Sequence, residues 1–318
     1  PFDMDTGIPI KSSDKPSYSK VFGNKLTEMA EKNNKIVAVS AAMVDGTGLT
    51  GFEKAFPDRT FDVGIAEGHA VTFAAGLAKA GLRPYVAIYS TFLQRAYDEI
   101  VEDVCLQNLP VTLCIDRAGV VGADGETHHG IFDISYLRHI PNLTILAPKD
   151  GPELEAMLEY SATLDGPCVI RYPRGTASVV GKTGEVKAGK AQQLKRGSDV
   201  EIWSVGTMAE IAVKAAEILK KSGVSASVVN TSSIKPFDNA KLVKSASKYK
   251  LIVTVEDNVL AGGVGEYIKE QISDTPAKVI NIGWPDKFIE HGTSTELYEK
   301  YGLDSESIAE RIVKELER

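Results

Sequence analysis

The chain has 318 residues, 43% of them hydrophobic and 25% charged, with a formal net charge of -7 at pH 7. This is the composition of an ordinary globular protein long enough for two domains, and its acidic balance argues against a nucleic-acid surface, which needs a basic stripe. No apolar run approaches the roughly 18 residues that span a bilayer, so membrane insertion is not expected.

The amino-terminal stretch PFDMDTGIPIKSSDKPS has no apolar signal core and is not rich in Arg, so no targeting segment is read in it. Its first residue, Pro1, would follow either from removal of an initiator Met or from cleavage of a longer chain. Cys105, Cys114 and Cys168 are odd in number and form no CxxC pair. That pattern fits buried thiols in a reducing compartment, the cytoplasm, better than a disulfide framework.

Short β-branched runs alternate with helical patterns along the chain. Strands are predicted over 35–40, 83–89, 111–115, 143–147 and 168–172, with helices over 17–32, 68–80, 91–107 and 151–163 between them. Residues 174–198 are rich in Gly, Lys, Ser and Thr and read as a linker with one short strand. A second set follows, with strands over 200–205, 225–230, 251–256 and 278–283. Its helices fall over 208–222 and 238–247, after the glycines at 262–265, and over 294–301 and 305–317. The prediction is an α/β fold of two consecutive doubly wound, mostly parallel-sheet domains, 1–180 and 195–318, with a linker at 181–194.

In FDVGIAEGHAVTFAAG (61–76), Glu67 sits where one apolar run (Val63, Ile65, Ala66) meets another (Ala70, Val71, Phe73). Two readings stay open. One is an acid at a helix amino terminus, favoured by the macrodipole. The other is a carboxyl in a buried junction, where an unpaired charge is costly and a bound ring, not the protein, supplies its partner. In AIYSTFLQRAYD (87–98), Ser90 and Thr91 turn a strand into a helix and leave Tyr89 and Phe92 near the strand's carboxyl end. That is the edge where doubly wound sheets bind ligands, although both aromatics also suit a core.

The segment DRAGVVGADGETHHGIFD (116–133) holds Gly119, Gly122, Gly125 and Gly130 together with Arg117, Asp124, Glu126, His128 and His129. A loop so rich in glycine and ionisable groups suits a site, a flexible surface, or, less well, a metal held by Asp124, His128 and His129. RYPRG (171–175) adds Arg171 and Arg174, whose forks suit a phosphate as well as a surface ion pair. Farther on, the glycines of EDNVLAGGVGEY (256–267) suit an anion cradle at a helix start but lack the Lys-Ser/Thr of a phosphate loop. In IEHGTSTE (289–296), His291 and the Thr293–Ser294 cap read as structural.

Taken together, PSYSKVFG, DVGIAEGHAVTFAAGLA, YSTFLQRAYDEIVEDV, DRAGVVGADGETHHGIFD, RYPRG and PDKFIEHG resemble, in order, the carboxyl-terminal half of the 1-deoxy-D-xylulose-5-phosphate synthases. These are thiamine-diphosphate enzymes of the transketolase superfamily. The resemblance implies a pyrimidine-binding domain followed by the superfamily's carboxyl-terminal domain, and self-association as a homodimer. It implies cofactor-binding roles for Glu67, Phe92 and Ile65, with Glu67 on the aminopyrimidine nitrogen and Phe92 stacked on the ring. It also implies acceptor binding by Tyr89, Arg117 and Arg174, and proton handling by Asp124 and His128. The implied reaction joins pyruvate and D-glyceraldehyde 3-phosphate with loss of CO2, in isoprenoid-precursor and thiamine biosynthesis, in the cytoplasm or, in a plant, the plastid stroma.

Two departures from the family stand out. Gly68 replaces a common Gln beside Glu67. The GDG motif that holds Mg2+ and the diphosphate is missing, since VDGTG (44–48) and ADGE (123–126) lie in other contexts. The expectation is half an active site, completed by an amino-terminal diphosphate-binding domain that is either a separate subunit or was removed. Rival expectations are a split transketolase or 2-oxoacid dehydrogenase E1 β-type subunit, and a non-catalytic structural or regulatory subunit.

Overall fold

The β-branched runs become strands of two mostly parallel sheets with helices packed on them, as the α/β expectation requires. The structure, a computed structural model, describes Met4, Thr6, Gly7 and residues 15–318. Pro1, on which the reading of the chain's start rested, lies outside the described residues. Among them, no helix is long and apolar enough to cross a membrane.

The first sheet contains β1 (Ile36–Ser40), β2 (Thr60–Asp62), β3 (Arg83–Tyr89), β4 (Thr112–Asp116), β5 (Thr144–Leu146) and β6 (Cys168–Arg171). The second contains β7 (Gln192–Lys195), β8 (Val200–Val205) and β9 (Ala226–Thr231), and then, beyond β10 (Ser233–Lys235), β11 (Leu251–Val259) and β12 (Lys278–Trp284). β1, β4, β6 and β8 are buried along their whole length, which is why they are predominantly apolar on both faces, with the few polar residues among them buried too.

The seven-stranded sheet has the order β10-β5-β6-β4-β3-β1-β2 and the five-stranded one β12-β11-β8-β9-β7. β10 follows β9 in sequence yet crosses to the other sheet and pairs antiparallel with β5, Ser233 opposite Leu146. The two halves therefore share a sheet edge. β7 pairs antiparallel with β9 from Gln192 onward, so the stretch read as linker runs into the second sheet.

Five helices begin where a side chain can satisfy their first N–H groups: Ser17, Asp150, Asp238, Thr293 and Asp304 all accept from the residue three positions on. The single helix expected over 91–107 is instead four short pieces. An α turn at Ser90–Leu93, a 3-10 turn at Gln94–Ala96 and another α turn at Tyr97–Glu99 lead into a π-helix at Ile100–Cys105. The periodicity of its apolar residues could not reveal that change of winding. β2 and the six-residue helix Thr50–Ala55 also escaped the sequence reading because they are so short.

Two clusters of buried charge lock the halves together. At the end of β6, Arg171 donates to both oxygens of Asp133, at 2.8 and 3.0 Å, and to the Asp257 carbonyl at 3.2 Å. The Asp257 carboxylate in turn accepts from Trp284 Nε1 at 2.7 Å, Tyr298 Oη at 2.7 Å and the Val120 N–H at 3.1 Å. Elsewhere, Asn230 of β9 donates to Glu153 at 2.9 Å beside the fully buried Lys149 and Asp150. The expected anion cradle in the 262–265 glycines is not free. Glu256 accepts from the N–H groups of Val264 and Gly265, both at 2.8 Å, and Glu266 from that of Gly262.

Two outcomes follow for stability. Asp133→Ala strands the buried Arg171 charge and should cost about 3–5 kcal/mol in urea unfolding, whereas replacing both partners by apolar residues should cost less. Burial pushes the Glu256 carboxyl up to about 7, against the pull of its two N–H donors. The folded state therefore holds this proton more tightly than the unfolded chain, so this contribution is present below the unfolded value and is lost as pH rises towards 7. Glu256→Gln should weaken the helix cap at every pH but remove that slope. Between pH 5 and 8 the parent should lose on the order of 2 kcal/mol relative to the variant, read as converging melting temperatures.

Candidate active site

The carboxyl ends of β1, β3, β4 and β6 form one rim of the first sheet, and the candidate residues gather along it. Glu67 is the first residue of the helix Glu67–Lys79, whose amino-terminal cap, Ala66, offers no side-chain acceptor. Its carboxyl is only 4% exposed and faces a protein partner: Arg95 Nη1 donates to Oε1 at 2.7 Å. This corrects the expectation that a bound ring alone would satisfy the acid. Glu67 is both at a helix amino terminus and buried, so the two readings agree with the structure on its position, while its partner here is a protein side chain.

Ile65, expected within a buried junction, is 83% exposed. The chain turns at Gly64, with φ of +72°, and Asp62 pins the turn by accepting from the Gly64 N–H at 3.0 Å and the Ala42 N–H at 2.7 Å. The turn carries the Ile65 side chain outward.

A wall of rings stands beside the acid. Tyr89 and Phe92 stack with centroids 5.7 Å apart, and the His128 ring meets Phe92 edge-on at 5.5 Å. The Arg95 guanidinium lies 5.2 Å above Phe92, so one side chain links the aromatic wall to Glu67. Arg117 packs 4.0 Å over Tyr89 from β4's end. Burial pushes the Tyr89 phenol up, and the Arg117 charge opposes it. Arg117 itself adopts φ of +59°, a left-handed conformation that a non-glycine residue holds only when its surroundings fix it. Here Asp116 Oδ1 accepts from the Arg117 N–H at 2.8 Å, while Arg117 Nη1 reaches Ser19 Oγ at 3.1 Å and the Gly46 carbonyl at 2.5 Å.

Arg174 pairs with Asp124 at 2.6 Å, and Thr127 Oγ1 lies 2.9 Å from His128 Nδ1. Arg117 and Arg174 face a common cleft of about 580 Å3, also lined by Ser19, Lys20, Asp45 and Gly46. Arg171, the other arginine of RYPRG, serves the junction and is 5% exposed, out of reach of a ligand. The metal alternative for Asp124, His128 and His129 is not supported, because among the described residues no three His, Cys, Asp or Glu side chains cluster to hold an ion. His129 turns instead towards Val121 and Glu290.

The site thus brings together Glu67, Tyr89, Phe92, Arg117, Asp124, His128 and Arg174. Sequence reasoning missed Arg95, whose only signal was its place three residues after Phe92, and the cleft residues Ser19 and Lys20 at the start of the helix Tyr18–Lys32. It also missed Glu99. A Cβ placed on Gly68 would come 2.5 Å from Glu99 Oε1. The glycine therefore marks a close approach.

Residues 14–178 match the family model described as the transketolase pyrimidine-binding domain, and residues 189–308 that of the transketolase C-terminal domain. The chain is 52% identical over 318 residues to the 1-deoxy-D-xylulose-5-phosphate synthase of Caldanaerobacter subterraneus subsp. tengcongensis, covering 99% of this chain and 51% of that protein. It is 51% identical over 315 residues to the enzyme of the same name from Syntrophotalea carbinolica, covering 97% and 50%. It thus spans about half the length of the curated relatives it matches. Among solved structures it is similar to a chain described as a split-gene transketolase in an inactive beta4 tetramer, with TM-score 0.86 and 32% identity, covering 95% of this chain and 98% of that one. A Pichia stipitis transketolase variant, at 20% identity and TM-score 0.81, covering 99% of this chain and 48% of its own, shares the fold. With both domain models matched across most of its length, the chain belongs to the transketolase family.

Proposed function

We propose that the chain is the pyrimidine-binding and acceptor-binding half of a thiamine-diphosphate-dependent 1-deoxy-D-xylulose-5-phosphate synthase, acting with an amino-terminal diphosphate-binding domain. The observation that carries this reading is the meeting, on one sheet rim, of a buried carboxyl, Glu67, with a cleft holding two arginines, Arg117 and Arg174. The substrates on this reading are pyruvate and D-glyceraldehyde 3-phosphate, as the named relatives suggest.

These residues fit the pyrimidine end of the cofactor. Glu67 offers a carboxylate acceptor, Phe92 a ring face, and exposed Ile65 an apolar surface without a protein cover among the described residues. They do not provide for the diphosphate and its Mg2+, which we assign to the amino-terminal domain. Thiamine diphosphate, when bound, supplies a nucleophilic carbon that permits decarboxylation of a 2-oxoacid and transfer of its two-carbon remainder.

The chain's own work is binding and proton control. Glu67 holds a ring nitrogen through a carboxyl oxygen while Arg95 keeps Oε1 in place. Arg117 and Arg174 take the acceptor's phosphate as two charged forks, and Tyr89 orients it. Asp124, steered by Arg174, and His128, oriented by Thr127, stand where protons must move on the reacting oxygens. Self-association as a homodimer is part of the proposal, supported by the tetramer in the structural relative's description. The free, buried thiols of Cys105, Cys114 and Cys168 support a reducing compartment such as the cytoplasm.

A split transketolase is the second reading, favoured by the structural relative of matching length. Donor use separates the two: ketose phosphate in place of pyruvate would select transketolase.

The test mixes the chain with the matching amino-terminal half, thiamine diphosphate, Mg2+, pyruvate and D-glyceraldehyde 3-phosphate. Glu67→Ala should lower turnover at least about 100-fold without loss of fold. Parent-like turnover in that variant would refute the role given to Glu67. Arg174→Ala should raise KM for the phosphorylated acceptor by about 10-fold to 100-fold, the loss of a charged hydrogen bond, with KM for pyruvate little changed. An equal rise in both constants would contradict the phosphate assignment.

A further inference from the structure

His129 follows a candidate catalytic histidine in sequence but does different work. It is 3% exposed, and both ring nitrogens are engaged. Nδ1 accepts from the backbone N–H of Val121 at 3.1 Å, and Nε2 lies 3.2 Å from the carbonyl oxygen of Glu290. A backbone N–H can only donate and a carbonyl can only accept. The pattern therefore assigns a neutral ring with its hydrogen on Nε2, since an imidazolium would set a donor against the Val121 donor.

The ring ties the glycine-rich loop of the first half to the 285–293 segment of the second. Glu290 is itself anchored, its carboxylate accepting from Tyr301 Oη at 2.7 Å and pairing with Lys300. Close by, His291 Nε2 lies 3.2 Å from the Ala123 carbonyl, and a Cβ on Gly122 would come 2.9 Å from the Gly292 carbonyl oxygen. The loop's base is closed by reciprocal Gly119 and Gly130 backbone bonds, and Val120, Asp124 and Thr127 have ties of their own, but between 121 and 130 His129 and His291 carry its hydrogen bonds to the second half. Its only regular element is the 3-10 turn Gly122–Asp124, and Gly119, Gly122 and Gly125 all have positive φ. Such a backbone loses its order readily when its contacts go.

We propose that His129 is a positioning residue: a neutral imidazole that fastens the loop bearing Asp124 and His128 to Glu290, so that the second half fixes where those two groups stand. The cleft lined by Arg117 and Arg174 draws none of its lining from that half among the described residues. The second half would then act on Asp124 and His128 through this fastening, beside the Asp257–Val120 bond that holds the start of the same loop. The positioning role rests on the functional reading above, but the fastening itself does not.

The test compares the parent, His129→Leu and His129→Gln. Leu removes both polar functions at similar volume, whereas Gln carries one acceptor and one donor on a side chain of similar reach. Amide hydrogen exchange of the chain as purified is read over 118–130. With two ties gone, His129→Leu should exchange there roughly tenfold faster or more while β4 keeps its protection. His129→Gln should stay within about twofold of the parent. Parent-like protection in the Leu variant, or equally fast exchange in both variants, overturns the fastening. If the Leu variant also loses β4 protection, it reports unfolding and His129→Gln decides: parent-like loop protection supports the fastening, and loss confined to the loop overturns it.

In the reassembled enzyme, His129→Leu should lower kcat about tenfold or more and leave KM for the phosphorylated acceptor within about twofold, because Arg117 and Arg174 are untouched, with His129→Gln restoring kcat. Faster exchange with unchanged kcat overturns the positioning role. A parent mixture with no activity counts against the functional reading and leaves the exchange result to judge the fastening.

Discussion

A buried arginine sets the terms for much of this molecule. Arg171 ends a strand that is buried on both faces, so its charge must find its partners inside the protein. It finds Asp133 in the first half and the Asp257 carbonyl in the second. Asp257 then needs donors for its own buried carboxylate, and one of them is the N–H of Val120. That bond draws the loop after β4 against the second half so tightly that a side chain at Gly119 would overlap the Asp257 carboxylate. The glycine at 119 is thus a packing requirement imposed by the buried Asp257 carboxylate of the other half.

The same constraint explains how a site made of first-half residues depends on the second half. Val259 donates to the Ile131 carbonyl at 2.9 Å and Asn258 to Ser135 at 3.0 Å, so the whole stretch from 119 to 135 is stitched to β11 and its neighbours. β10 adds a strand to the first sheet from the other side. With ties at the β10 edge and at the carboxyl ends of the central strands β4 and β6, the rim that carries Tyr89, Arg117 and Arg174 is held without any residue of the second half lining the cleft. Rigid support of this kind is what a site needs if its charged groups are to be aimed before a substrate arrives.

How much of this was legible depended on whether the signal was local. The long parallel strands could be read because burial on both faces leaves runs that are mostly apolar, such as IVAVS of β1, with one polar residue in five. β2 and β10, three residues each, carry no such signal, and β10 belongs to a sheet that its neighbours in sequence do not join. The candidate residues stood out as strings, through resemblance, but their partners did not. Arg95 reads as an ordinary helical arginine until the helix is seen to break into short turns, which places it over Phe92 and against Glu67. Arg171 and Arg174 look equivalent in RYPRG, yet one is sealed at the junction and the other opens onto the cleft. Arg171 is the last residue of β6, whereas Arg174 lies beyond the strand, past Pro173, where the chain has left the sheet.

Gly68 was the one residue that counted against an active site. Where the resemblance expects Gln, a polar side chain beside Glu67 is missing. The structure shows that the space is taken, because the Glu99 carboxylate reaches over from the neighbouring turn to the position a side chain at 68 would fill. Its Oε2 is buried and accepts no hydrogen bond among the described residues. Leaving such a carboxylate oxygen unpaired is costly unless something else in the working assembly supplies a donor. An apolar residue at 99 would pack against the glycine without that cost. Gly68 and Glu99 are better understood together, as a glycine whose missing side chain leaves room for a carboxylate from the next turn, than as a loss at position 68.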